Sequence, residues 1–293
     1  MAYKHRKITT KLPQYVSIII DDSWSMSDEG KCKHAVDACY SAILAMVNAT
    51  NLVDKEGSKQ YFNLRITKFG DEVEVITKEI NGNDPDPRDI SKSLLEDNIK
   101  GQSGQTNMVD ALQDTYEWLK EKRKSMLEAS PAPLVLLLTD GMPYNSDNPE
   151  IKKLSAEVAQ KIPNDIKFDE ANYPTSKEEE SNIKVHPTNA KVICIAIGGK
   201  EKNYDPKYLW CNIATKSKIP NLETNLEEKI NEYVTLYMET VSPDELVSVV
   251  SIIIGSIVSR VTNNYNSLEA AVKDYQEKKD IRYDDHECEE MDN

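Results

Sequence analysis

Residues Val16–Met26 read Val-Ser-Ile-Ile-Ile-Asp-Asp-Ser-Trp-Ser-Met. An apolar, β-branched run that halts at two carboxylates describes a strand covered on both faces and cut off at its carboxyl end. Past that end, carboxylate and hydroxyl side chains alternate at Asp21, Ser23 and Ser25. Such a nest of hard oxygen donors is what a divalent cation such as Mg²⁺ takes. Taken alone, the two serines read equally well as caps of a following helix, so the rest of the chain has to supply partners.

Working outward, Tyr15–Ile20 is the strand, and a helical period runs from about Gly30 to Asn48 with Ala35, Ala38, Ala42 and Ala45 on one stripe. Phe62–Phe69 and Glu72–Ile80 flank Gly70-Asp71 as a hairpin. A loop at Pro85–Arg88 and a short helix over Asp89–Asn98 precede the glycine-containing loop Gly101–Asn107, which opens a helix over Val109–Met126. Leu134–Thr139 is a second fully apolar strand and ends in Asp140-Gly141. Pro149–Ile162 reads as a helix, Pro163–Pro187 as an exposed polar insertion, and Lys191–Ile197 as a third apolar strand. A short helix near Pro206–Ala214, an edge strand near Ile219–Leu222 and helices over Leu226–Met238 and Pro243–Val261 follow. The charged segment from about Asn263 reads as frayed helix or disorder.

Apolar strands separated by helices predict an α/β fold, a Rossmann-like, doubly wound, mostly parallel central sheet flanked by helices. The expected organisation is a tail over 1–12, a domain over 13–240 with the insertion near 163–190, a C-terminal helix over 241–265 packed on the domain, and a charged tail over 266–293.

A chain of 293 residues is ample for a large core. Its formal net charge of -14 lacks the phosphate-neutralising surplus that nucleic-acid binding needs. The basic start Lys4–Lys7 reads as a solvated tail. Five scattered cysteines without zinc-ligand spacing predict reduced thiols in a cytoplasmic protein. The beginning lacks the pattern of a signal peptide, and the most apolar late stretch, Leu246–Val261, is too short and too rich in serine for a membrane span.

In such folds ligands bind at the carboxyl ends of the strands. Asp21-x-Ser23-x-Ser25 lies at one such end, Asp140 at another, and Thr106 at a loop-to-helix junction between them. In order and context this set resembles the metal-ion-dependent adhesion site of the von Willebrand factor A domain family, over roughly residues 13 to 240. The resemblance implies Mg²⁺, with Mn²⁺ or Ca²⁺ as substitutes, held by Asp21, Ser23, Ser25, Thr106 and Asp140. It also implies that the two carboxylates act largely through bound waters, which leaves the ion short of negative charge and open to a Glu or Asp from a protein partner. Gly104 and Gly141 read as letting the backbone approach the ion, Asp22 as an extra acid outside the ligand set, and Trp24 equally as an exposed partner anchor or as packed on the insertion.

Two enzyme classes compete. Asp140-Gly141-Met142-Pro143 is similar to the phosphoacceptor turn of a receiver domain, but the acidic pair Asp21-Asp22 lies too far upstream for the single βαβ unit a receiver has there, and the Met-Pro is one residue too close. A haloacid-dehalogenase-type phosphatase needs a second Asp where Ser23 stands. No nucleophile–base set is visible, because the histidines lie away from the strand ends apart from His34, which reads as helix surface. The expectation is therefore a non-enzymatic adaptor. It is similar to cytosolic prokaryotic members of the family associated with tellurite resistance, stress or phage defence, which are found near kinases, phosphatases and AAA+ ATPases. The alternative is a Mg²⁺-dependent phosphohydrolase or phosphoacceptor using Asp21 or Asp140.

Overall fold

The computed structural model describes residues 13–53, 62–77, 85–123, 131–141, 143, 148–166, 189–198, 206–219, 233–262 and 267–283. The basic start, residues 167–188 of the expected insertion and the acidic end beyond 283 lie outside the described residues.

In chain order the elements are β1 (Gln14–Asp21), α1 (Lys31–Val53), β2 (Phe62–Phe69), β3 (Val73–Val75), α2 (Lys92–Asn98), α3 (Met108–Arg123), β4 (Leu134–Thr139), α4 (Pro149–Asp165) and β5 (Lys191–Ile197). They continue with α5 (Pro206–Tyr208), β6 (Lys216–Lys218), β7 (Tyr233–Thr235), β8 (Tyr237–Thr240), α6 (Leu246–Thr262) and α7 (Leu268–Lys279). The main sheet runs β3-β2-β1-β4-β5-β8 and is parallel except for β3, which turns back on β2 across Gly70-Asp71. This is the expected fold class. β6 and β7 form a separate antiparallel ribbon.

All eight residues of β1 are buried, as the unbroken apolar run requires. Helices gather in two groups, α1 with α2 and α6, and α3 with α4. On the α3 side Tyr15 meets Trp118 edge-on, with ring centroids 6.3 Å apart, and the Ser17 and Thr115 hydroxyls are 3.5 Å apart. Ala35, Ala38 and Ala42 are fully buried on α1, while Ala45 is half-buried. The chain leaves β1 toward β2 on one side and returns as β4 on the other. The β1–β4 pair is therefore the switch point of the winding, where such sheets open a crevice at their carboxyl ends. Ile20 pairs with Leu138, which sets Asp21 beside the Thr139-Asp140 step.

One expectation for the C-terminal third is overturned, and at another place one of two alternatives is found. The segment read as a helix over Leu226–Met238 is, where described, strand: Tyr233–Thr235 and Tyr237–Thr240. These residues are largely aromatic or β-branched, and pairing with the open edge of β5 from Cys194 to Ile197 outweighs a helical spacing. The charged segment from Asn263 contains an ordered helix, α7, capped by the Ser267 hydroxyl and closed by Asp280 in the left-handed conformation. Leu268, Val272 and Tyr275 of α7 are buried in the core, and polar contacts add to them. The Gln276 amide donates to the carbonyls of Thr235 and Tyr237 at 2.8 Å each, the Tyr275 hydroxyl donates to Glu239, and buried Glu269 pairs with Lys191.

Of the edge strand expected near Ile219–Leu222, residues 220–222 lie outside the described residues; the strand before them is Lys216–Lys218, within the separate ribbon. Cys32, Cys39 and Cys194 are buried free thiols, whereas Cys211 is disulfide-bonded, so reduction throughout does not hold. Among the described residues no helix is long and apolar enough to cross a membrane.

Candidate metal centre

The sequence-predicted ligands come from three loops at the carboxyl edge of the sheet. Asp21 closes β1 and is completely buried. Its Oδ1 accepts the Ser23 N–H at 2.9 Å and its Oδ2 the Thr139 hydroxyl at 2.6 Å. The Ser23 hydroxyl does not cap the 3-10 turn over Trp24–Gly30. It lies 3.1 Å from the Ser25 hydroxyl, which in turn donates to Asp140 Oδ1 at 2.7 Å. The capping reading of the serines therefore fails. Thr106 is half-buried and faces the Asp140-Gly141 step, where a Cβ added to Gly141 would stand 3.7 Å from its hydroxyl oxygen. Thr139 belongs to the site as the donor that orients Asp21, a role the Thr-Asp-Gly ending could have signalled.

Two carboxylates and three hydroxyls form an all-oxygen donor set suited to a hard divalent cation. Among the described residues no group of three or more His, Cys, Asp and Glu could hold a metal, so any ion here would depend on hydroxyls. The charge balance fits as well. The Lys31 ammonium pairs with Asp140 Oδ2 at 2.7 Å, while Asp21 accepts from the neutral Ser23 N–H and Thr139 hydroxyl. Burial, and then the neighbouring Asp140 charge, raise the Asp21 carboxyl from 3.8 to about 7. An under-neutralised carboxylate of this kind calls for a cation.

This shift has a stability consequence for the metal-free protein. Between the unfolded value of 3.8 and about 7 the folded chain holds a proton that the unfolded chain releases. Stability from this group is thus complete below about 4 and declines as pH rises through 7, by about 1.4 kcal/mol per pH unit inside that window. Asp21→Asn is expected to flatten that decline, as read by denaturant unfolding in chelator across pH 4.5–8.

The loop that carries Thr106 is organised by Asp22, which is only 1% exposed. Asp22 Oδ1 accepts the N–H groups of Lys100 and Gly101 at 2.6 Å each. Its Oδ2 accepts the Ser103 hydroxyl and lies 3.4 Å from the Lys68 ammonium. Asp71 completes the cradle by accepting the Gln105 N–H at 2.9 Å. Gly104, at φ +83, is required because a Cβ there would overlap the Asp71 carboxylate. The glycine reading is thereby corrected: Gly104 accommodates Asp71, and at Gly141 a Cβ would make only ordinary contact. Trp24 stands 66% exposed.

Fold and site together define a doubly wound α/β domain with an oxygen-donor centre at its switch point. The family profile of the von Willebrand factor type A domain matches residues 16–142, the stretch from β1 through the Asp140-Gly141 step. In fold the chain is similar to proximal thread matrix protein 1 of the mussel byssus, with TM-score 0.51 and 18% identity over 83% of this chain and 47% of that one. It is also similar to the pilus adhesin SpaC of Lactobacillus rhamnosus GG in its open conformation, with TM-score 0.52 and 13% identity over 87% of this chain and 31% of that one. The chain thus spans less than half the length of either structure. Another structure of the mussel protein, with its adhesion motif occupied by zinc, has TM-score 0.48 at 18% identity over 83% of this chain and 47% of that one. No curated protein matches the chain. The profile match is to residues 16–142, and over the rest of the chain the solved structures share the fold.

Proposed function

We propose that this protein is a Mg²⁺-dependent interaction adaptor with no catalytic activity of its own. Asp21, Ser23, Ser25, Thr106 and Asp140 would hold the ion, and a Glu or Asp of a partner protein would complete its coordination. The observation that carries this reading is the gathering of neutral hydroxyls with two buried carboxylates from three separate loops at one switch point. Neutral donors leave a divalent ion electron-poor and therefore attractive to an outside carboxylate. Trp24, exposed at the same strand end as Asp21, supplies an aromatic anchor beside that contact.

The stress, tellurite-resistance or phage-defence setting, with a kinase, phosphatase or AAA+ ATPase as partner, extends the family resemblance by analogy. A cytoplasmic location agrees with the three free buried thiols and is opposed by the disulfide at Cys211. Non-reducing mass analysis of protein taken from its native cells decides between them.

Calorimetry tests the metal claim. Wild type is expected to bind Mg²⁺ and Mn²⁺, and Ser23→Ala, which keeps every charge, to bind both at least tenfold more weakly. Absence of heat above buffer in wild type removes the claim. Turnover of an aryl phosphate with Mg²⁺ that disappears in Asp21→Ala replaces the adaptor with an enzyme.

A further inference from the structure

Lys31 is the first residue of α1 and is 1% exposed. Lysines at helix ends ordinarily carry their ammonium out to water; this one points inward. Its Nζ lies 2.7 Å from Asp140 Oδ2 and 3.4 Å from the Ser25 carbonyl. The end of its stem lies against Gly198, at the end of β5, where an added Cβ would stand 3.4 Å from Lys31 Cε. Both oxygens of Asp140 are thus taken, Oδ1 by the Ser25 hydroxyl and Oδ2 by the ammonium.

We propose that Lys31 is a tethered cation that competes with the divalent ion for Asp140 and so makes metal binding depend on an incoming carboxylate. The proposal deepens the metal reading above and rests on it. With both carboxylates ionised, Asp21, Asp140 and Lys31 leave one net negative charge in a buried site. A divalent ion turns that into one net positive charge; without Lys31 the same ion would reach neutrality unaided. Like charges so near one another in a water-poor site repel strongly. The ion therefore binds weakly alone and displaces the ammonium from Asp140, and an anionic sixth ligand relieves the excess. Because coupling is reciprocal, metal and carboxylate each tighten the other's binding.

Mn²⁺ binding is measured by calorimetry at one fixed pH on wild type, Lys31→Met and Lys31→Gln, with and without excess acetate as the carboxylate probe. Native circular dichroism is the entry condition for each variant. Both variants are expected to bind Mn²⁺ at least tenfold more tightly than wild type, and acetate is expected to strengthen Mn²⁺ binding more in wild type than in either variant. Unchanged or weaker binding in a folded variant overturns the role of Lys31 and leaves the metal site standing; no binding by wild type removes the metal site itself. Reductive methylation of wild type, read by peptide mass, does not depend on the variants folding. Lys31 is expected to be protected without metal and modified several-fold faster with saturating Mn²⁺, and an unchanged rate overturns the displacement.

Discussion

Asp22→Asn is expected to cost the fold about 3 kcal/mol, although Asp22 lies outside the ligand set. The carboxylate is buried and accepts two backbone N–H groups and a hydroxyl, with the Lys68 ammonium at 3.4 Å. An amide of the same shape turns a donor toward some of those donors and removes the charge that Lys68 faces. Lys68 is also held by the Asn98 carbonyl at 2.8 Å and pairs with the exposed Glu74 carboxylate at 3.3 Å, so it stays in place and loses only its buried counter-charge. The released loop runs from Lys100 to Thr106, so the same substitution is expected to weaken Mn²⁺ binding at least tenfold by misplacing Thr106. Urea unfolding and calorimetry read the two effects. A cost below about 1 kcal/mol would show that the Gly101–Gln105 turn is held by something other than Asp22.

Asp140→Asn is expected to be more damaging, at about 3–5 kcal/mol, because it strands a buried ammonium without its carboxylate. Both side chains of the pair are essentially inaccessible to solvent, so water cannot take the place of the lost carboxylate. The diagnostic variant is therefore the double substitution. Lys31→Met with Asp140→Asn removes the stranded charge along with its partner, and it is expected to recover at least about 2 kcal/mol of the single-mutant loss. A double variant as unstable as the sum of the singles would show that the two groups do not sense one another. Neither protein carrying Asp140→Asn is expected to bind Mn²⁺.

What could be read in the sequence follows from which forces leave a pattern in it. β1, β4 and β5 were legible because strands buried on both faces must be apolar throughout, and a strand that ends in a functional loop stops abruptly at Asp21, Asp140 or Gly198. Asp21, Ser23 and Ser25 stand out in the sequence because they follow the abrupt end of β1, although Ser25 already lies in the 3-10 turn and not in extended backbone. The roles of Lys31 and Asp22 were not, since a charge beside the end of a strand or helix ordinarily faces solvent, and only the tertiary fold shows that these two are enclosed. β8 was misread because its pairing is decided by the free edge of β5, about forty residues upstream. The segment of α7 reads as frayed helix or disorder because its apolar face is short, Leu268, Val272 and Tyr275, and part of its docking comes from hydrogen bonds and an ion pair of Gln276, Tyr275 and Glu269.

The packing of α1 against α6 bears on how far the site can exist apart from the rest of the chain. All five donors lie between Asp21 and Asp140, yet the helix that presents Lys31 is covered by residues 246–262. On a ribosome the donors would emerge early and wait for a cover made more than a hundred residues later. A fragment ending near residue 142 would expose the α6-facing surface of α1 and fold poorly, if at all. The centre is local in its chemistry and dependent on the distant chain for its stability.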